Sequence, residues 1–109
     1  MLLDECVPRP LAREFTEHRV AHVSEVGWSG LRNGQLLAAM IERGFTGLLT
    51  VDRNIGFQQS VHGSGVFIIL MVARSNRLDE LLPLIPDVKR AIGFAQAGQL
   101  VRVGDAGVK

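Results

Sequence analysis

Short apolar runs alternate with helical stretches along the whole chain. The apolar runs predict four strands, at Met1–Leu3, Gly47–Val51, Val66–Val72 and Leu100–Val103. The alternating residues of Val20–Val26 predict another strand between the first two of these, ending near Ser24. Because Val66–Val72 is apolar at every position, we expect it to be a central strand that is buried on both faces. Leu100–Val103 is expected to form an edge of the sheet.

Helical stretches separate these strands. Pro8 and Pro10 suit the first turn of a helix that ends near His18, because a missing N–H costs nothing there. A second helix is expected to run from an N-cap at Asn33 to Arg43.

The last third of the chain predicts a longer, interrupted helix. Asn76 to Asp79 resemble a capping box at its start. Pro83 and Pro86 should kink or split it, since proline lacks the N–H that a helix interior needs. A further short helix or turn is expected at Asn54–Ser60.

This alternation predicts an α/β fold, a three-layer sandwich in which helices cover both faces of a small parallel sheet. With 109 residues the chain has the size of one domain. We expect that domain to span residues 1–103, and residues 104–109 to form a flexible tail.

Composition narrows the class of protein. No apolar run approaches the roughly 20 residues of a membrane helix, and Asp4 and Glu5 interrupt any signal peptide. The single cysteine, Cys6, excludes an internal disulfide. A soluble, cytoplasmic protein without a membrane partner is therefore expected. The net charge is only +1, but ten of the twelve cationic residues are arginine, which suits bidentate phosphate contacts.

Polar side chains follow the predicted strands, where parallel sheets bind ligands. Asp4 and Asp52 each come directly after an apolar strand, and two neighbouring carboxylates repel each other unless a cation lies between them. Oxygen ligands of this kind suit Mg²⁺ or Mn²⁺. Arg53, Arg74 and Arg77 lie in the same loops and could hold phosphates. The alternative is that both aspartates merely cap turns.

Other catalytic patterns are absent from the sequence. It contains no GxGxxG or GxxxxGK phosphate loop and no GxSxG elbow. The histidines lack metal-ligand spacing, and Cys6 is expected to be a small packed residue.

Several segments, in this order and spacing, resemble the small stand-alone PIN-like domain proteins that are often grouped with toxins of VapC type. They are Leu2–Glu5, Pro8–Arg9, Gly27–Leu31, Asn33–Leu37 and Leu49–Asn54, and the likeness extends through Gln58–Gln59 and Ala73–Leu78. The resemblance covers residues 1–103. It implies a PIN fold, cleavage of RNA with Mg²⁺ or Mn²⁺, and neutralisation by a cognate antitoxin protein.

The resemblance also implies site residues. Asp4 and Asp52 match the family's metal-binding aspartates, Glu5 accompanies Asp4, and Asn33 stands where an acid would complete the cluster. These carboxylates would be catalytic. The substrate-binding candidates are the polar residues of the neighbouring loops, namely Arg53, Asn54, Arg74, Asn76 and Arg77.

Because only three acidic residues are candidates for the metal site, two functions are considered. The first is a metal-dependent endoribonuclease, the toxin of a toxin–antitoxin pair. The second is a PIN-like module that binds RNA or protein without cutting. Apolar residues near Val61–Gly65 and Pro83–Pro86 are expected to contact an antitoxin or a second copy of the chain. Trp28 is expected to pack over the helix after Asn33 and to form a wall of the cleft.

Overall fold

A computed structural model describes residues 1–31, 33–53, 61 and 63–104, with Asn33 described by its backbone alone. In this part of the chain five strands form one parallel sheet in the order β2-β1-β3-β4-β5. The strands are β1 (Leu2–Leu3), β2 (Ala21–His22), β3 (Gly47–Thr50), β4 (Phe67–Met71) and β5 (Leu100–Val103). The α/β prediction with a small parallel sheet is confirmed.

The order of the strands fixes which loops meet. β1 lies between β2 and β3, with Leu2 paired to Ala21 on one side and to Leu48 on the other. β4 is an interior strand whose five residues are all buried, and β5 is an edge strand, both as predicted. Since all pairs are parallel, the loops that follow β1, β3 and β4 leave the sheet at one edge, which we call the carboxyl edge.

Helices cover both faces of the sheet. One face is covered by α1 (Asn33–Glu42), which buries Leu36 and Met40 against Leu48. The other face is covered by a 3₁₀ helix (Arg9–Glu14), α2 (Leu78–Leu81) and α3 (Ile85–Phe94). Successive side chains of β1 point to opposite faces of the sheet. Leu2 therefore packs into the core under α1, and Leu3 packs into the core on the other face. The three-layer arrangement follows from this.

Two helix predictions need correction. The stretch after Pro8 forms a 3₁₀ helix that ends at Glu14, rather than an α-helix to His18. Asn76 does not cap α2: the N-cap residue is Arg77, with no side-chain capping hydrogen bond. The predicted break by Pro83 and Pro86 is confirmed, since a 3₁₀ turn at Leu82–Leu84 separates α2 from α3.

The exposed apolar side chains agree only in part with those predicted for a contact surface. Leu82, next to Pro83, is exposed as expected, but Val61 and Ile85 are buried. The other large exposed apolar residues of the described chain are Ile41 and Phe94. None of its helices is long and apolar enough to cross a membrane. Gly104 packs against Leu84 and Val72, while the rest of the predicted tail lies outside the described residues, as does Asn54–Ser60.

Candidate functional site at the carboxyl edge

The two aspartates singled out in the sequence reach the same edge of the sheet. Leu3 pairs with Leu49, and the Asp4 amide donates to the Leu49 carbonyl at 2.9 Å, which continues the β1–β3 ladder by one residue. Asp52 follows β3 by two residues. The prediction that the first, third and fourth strands are adjacent and parallel, with both aspartates at one edge, is confirmed.

Asp4 is a buried carboxylate that is held at both oxygens. Its side chain is only 6% exposed. Its Oδ1 accepts the Glu5 amide at 2.9 Å, and its Oδ2 accepts the Thr50 hydroxyl at 2.7 Å. These bonds offset the cost of burying a charge and fix the direction in which the carboxylate points.

Thr50 links the two aspartate loops. It is fully buried, and its hydroxyl oxygen also accepts the Asp52 amide at 3.0 Å. One hydroxyl therefore orients the Asp4 carboxylate and the backbone that carries Asp52. Sequence reasoning missed this residue, although a hydroxyl at the end of an otherwise apolar strand, two residues before Asp52, was the available signal.

Cys6 lies beside Asp4 and Thr50. Its Sγ is 3.7 Å from Asp4 Oδ2 and 3.6 Å from Thr50 Oγ1. Burial raises the pKa of the Cys6 thiol, and the negative charges of Asp4 and Asp52 raise it further, against opposing hydrogen bonds from Val51 and Thr50. A thiol held protonated is a poor nucleophile, so Cys6 acts here as a packed, weakly polar neighbour.

Glu5 is directed toward the loop that follows β2. Its side chain is exposed, and its Oε1 accepts the Gly30 amide at 2.8 Å. This bond ties the loop after β2 to the loop after β1.

Three of the predicted substrate-binding residues line one depression at the carboxyl edge. It has a volume of about 340 Å³ and is lined by Val51, Arg53, Met71, Ala73, Arg74, Ser75 and Asn76. Arg53 donates to the Ala73 carbonyl at 3.4 Å. Asn76 donates to the Cys6 carbonyl at 3.1 Å and so joins the loop after β4 to the loop after β1. Arg74 is exposed and makes no hydrogen bond or ion pair with any described residue.

The remaining predicted site residues are placed differently or lie outside the described residues. Arg77 does not line the depression; it pairs with Asp79 at 3.3 Å, and both side chains are mostly exposed. The Asn33 side chain and Asn54 lie outside the described residues.

The carboxyl edge offers few protein ligands for a metal ion. Among the described residues no group of three His, Cys, Asp or Glu side chains could hold a metal ion. Asp4 and Asp52 remain as two carboxylates at one edge. Mg²⁺ commonly keeps several waters and binds through one or two carboxylates together with substrate phosphates. Two carboxylates match the number of protein ligands that such an ion commonly uses.

Comparison of the chain with known proteins does not assign it to a family. No family model matches the chain, and no curated protein or solved structure is significantly similar to it. What is established is the class: an α/β protein with a five-stranded parallel sheet and a polar carboxyl edge.

Proposed function

We propose that this chain is a PIN-like, metal-dependent endoribonuclease whose active site is the carboxyl edge of the sheet. The observation that carries the proposal is the arrangement around Thr50. Its buried hydroxyl donates to Asp4 and accepts from the amide of Asp52, so two carboxylate-bearing loops of adjacent strands are held by one side chain. A buried carboxylate at a sheet edge, oriented by one hydrogen bond to each oxygen and with further lone pairs left, supports a preorganised site for a positive ligand.

The depression beside these carboxylates supplies cationic and amide donors of the kind that bind phosphate. Arg74 is uncommitted among the described residues, and Arg53 uses one long hydrogen bond of 3.4 Å, so both guanidinium groups are available to an anion. Asn76 orders the loop that carries Arg74. Arg77 is left a secondary role, because its charge is already balanced by Asp79.

In this proposal each residue of the site has a defined role. Asp4 and Asp52 would hold Mg²⁺ or Mn²⁺, and Glu5 could add only its second oxygen because Oε1 accepts the Gly30 amide. The ion would supply a polarised phosphate and an activated water. Arg53 and Arg74 would bind the RNA backbone next to the scissile bond and stabilise the charge that develops there. Thr50 would keep Asp4 oriented throughout.

An RNA-cleavage assay with matched variants tests this proposal. Asp52→Asn removes one exposed carboxylate without disturbing the core, and we expect it to abolish cleavage of structured and single-stranded RNAs in Mg²⁺ or Mn²⁺. The matched control is Asp87→Asn, an exposed aspartate on α3 that pairs with Arg90. Equal cleavage by Asp52→Asn and the parent protein would contradict the proposal.

A thermal melt with metal provides the second readout. An ion that binds only the folded state stabilises it by RT ln(1 + L/Kd), where L is the free ion concentration, so the melting temperature rises as that concentration exceeds Kd. Millimolar Mg²⁺ or Mn²⁺ should therefore raise the melting temperature of the parent protein and of Asp87→Asn, but not that of Asp52→Asn.

A second function is favoured by the small number of acids. Since no group of three metal-binding side chains is found among the described residues and Glu5 is engaged with Gly30, the edge also suits a PIN-like module that binds RNA without cutting it. RNA binding that persists without metal, with no cleavage product, would support this alternative over the nuclease.

The protein partner in this proposal is a cognate antitoxin. We propose that an antitoxin segment inhibits the enzyme by covering the carboxyl edge, with a cytoplasmic location shared by both proteins and RNA. An acidic segment would complement the guanidinium groups of Arg53 and Arg74.

A further inference from the structure

A second depression lies at the opposite edge of the sheet from the aspartates. It has a volume of about 520 Å³ and is lined by Met1, Arg19, Val20, Ala21, Arg43, Gly44, Phe45 and Thr46. These residues come before or at the start of β1, β2 and β3, so the depression opens at the edge where the strands begin. Its lining contains two arginines and no carboxylate.

The charges of these two arginines are not balanced within the described chain. Neither Arg19 nor Arg43 makes an ion pair with any described residue, whereas Arg9, Arg77 and Arg90 all do. Two guanidinium groups that share one depression repel each other unless an anion lies between them. The distribution of charge therefore favours an anionic ligand.

The surrounding structure holds Arg43 in place without using its donors. The guanidinium carbon lies 5.7 Å from the centre of the Trp28 ring, and that ring packs edge-on against Phe45 at 5.8 Å. The carbonyls at the end of α1 already have partners, since the amides of Arg43, Gly44 and Phe45 donate to Ala39, Ile41 and Met40. A guanidinium that rests on an aromatic face still presents its N–H groups at the edge of its plane.

Phe45 gives the depression an apolar component. Its partly buried ring lines the depression and is supported from behind by Trp28. A planar ring attached to a phosphate would place its charge near the arginines and its apolar face near Phe45.

We infer that this depression binds a phosphate group, with Arg19 and Arg43 as its anion-binding residues and Phe45 as the contact for an attached base. The ligand class is a nucleoside phosphate, either free or at the end of an RNA chain. The inference does not depend on the proposed nuclease, because its residues lie at the other edge of the sheet and none of them is an acid.

The test is an isothermal calorimetric titration of the full chain with adenosine monophosphate. Binding is expected, and Arg43→Gln and Arg19→Gln should each weaken it about tenfold, which corresponds to the loss of a charge-assisted contact. The matched control is Arg102→Gln, an exposed arginine on the far edge strand β5, which should bind as the parent does. Circular dichroism melts establish that each variant is folded.

Fluorescence locates the ligand independently of the calorimetry. Trp28 is the only tryptophan and the chain has no tyrosine, so the emission reports on the ring beneath Arg43. A ligand that engages Arg43 should change the Trp28 emission in step with the calorimetric binding curve. No heat of binding, or binding that is unchanged in both arginine variants, would overturn the inference.

Two further ligands distinguish the sources of the phosphate. A short RNA with a 5′-phosphate that binds more tightly than the same RNA without it, with the difference lost in Arg43→Gln, supports an RNA end. Equal binding of both RNAs, together with retained binding of adenosine monophosphate, supports a free nucleotide. Failure of this inference would leave the Asp52→Asn cleavage test unaffected, because the two tests change residues at opposite edges of the sheet.

Discussion

At the scale of single residues, the Thr50 hydroxyl determines the geometry of the candidate site. It is the donor to the buried Asp4 Oδ2 and the acceptor for the Asp52 amide. Removing it leaves two polar groups without this partner at a buried position, and an unsatisfied buried group costs more than a hydrogen bond contributes. Stability and orientation of the site therefore depend on the same atom.

We predict that Thr50→Val, which keeps the shape but not the hydroxyl, lowers the free energy of unfolding by about 1–3 kcal/mol. Thr50→Ser keeps the hydroxyl and loses one buried methyl group, so it should cost less, about 1 kcal/mol. Urea denaturation of both variants measures the difference. A Val variant as stable as the Ser variant would show that the hydroxyl does not hold Asp4.

The thiol of Cys6 gives a prediction with a defined pH direction. Its pKa is raised, first by burial and then by the charges of Asp4 and Asp52. We expect iodoacetamide to modify Cys6 in the folded protein only at a higher pH than in the urea-unfolded chain, where a cysteine ionises near its usual pKa of about 8.5. Asp4→Asn removes one of the raising charges and should shift this profile partway toward lower pH. Identical profiles for the folded and unfolded chains would contradict the prediction.

The same shift has a consequence for stability. Because the folded state holds the thiol proton more tightly than the unfolded state, the contribution to folding is fully present below the unfolded pKa of Cys6. It is lost as the pH rises through the higher folded pKa. Stability should therefore fall at alkaline pH, and less so in a Cys6→Ala variant once its own cost is subtracted.

At the scale of secondary structure elements, the packing of the Phe67 ring of β4 over β3 depends on a glycine. A Cβ placed on Gly47 would lie 2.2 Å from the Phe67 ring on the paired strand. Phe67 is almost fully buried, so the ring has little room to move. The absence of a side chain at Gly47 is therefore a packing requirement.

We predict that Gly47→Ala destabilises the protein by about 1–3 kcal/mol, the usual cost of overpacking a core. The matched control is Gly93→Ala on α3, where an added Cβ meets nothing within 4 Å. That change should stabilise the exposed helix position by about 0.5–1 kcal/mol, because alanine is the better helix former. Thermal melts compare the two variants. A Gly47→Ala variant as stable as the parent would mean that Phe67 repacks freely.

The elements differed in how well the sequence predicted them. Most strands were predictable because an apolar run flanked by polar residues marks a buried strand, and Val66–Val72 shows this most clearly. The second strand was predicted too long, since β2 covers only Ala21–His22 of Val20–Val26. The type of the helix after Pro8 could not be predicted, because a six-residue segment that contains Pro10 is compatible with a 3₁₀ helix as well as with an α-helix. Such short segments are decided by packing, here by the burial of Leu11 and Phe15.

The site was predictable only as far as the strand ends determine it. Asp4 and Asp52 follow apolar runs, and the topology of a parallel sheet brings such residues to one edge. Asn76 was expected to cap a helix, but its amide donates to the Cys6 carbonyl 70 residues away. Trp28 packs against the core that α1 buries, as predicted, but it does not line the depression at the carboxyl edge, and its ring also packs on Phe45, which precedes β3. Contacts between distant side chains are set by tertiary packing, which local sequence patterns do not record.

At the scale of the whole molecule, the two faces of the sheet are covered by different elements and leave separate apolar residues exposed. Ile41 is 50% exposed on α1, while Phe94 on α3 and Leu82 in the 3₁₀ turn before α3 are 59% and 38% exposed at the other face. Isolated exposed apolar side chains are normal on monomeric proteins, whereas stable dimers need a contiguous patch. The described surface therefore favours a monomer over the homodimer considered from the sequence.

We predict that light scattering of the isolated chain gives a mass near 11.9 kDa over a range of concentrations. The reason is the separation of Ile41 and Phe94 on opposite faces, so that no one face offers both to a second copy. Ile41→Ser and Phe94→Ser serve as paired variants, and neither should change the measured mass. A mass that doubles with concentration in the parent, and returns to 11.9 kDa in only one of these variants, would identify the face that pairs and replace the monomer with a homodimer built on it.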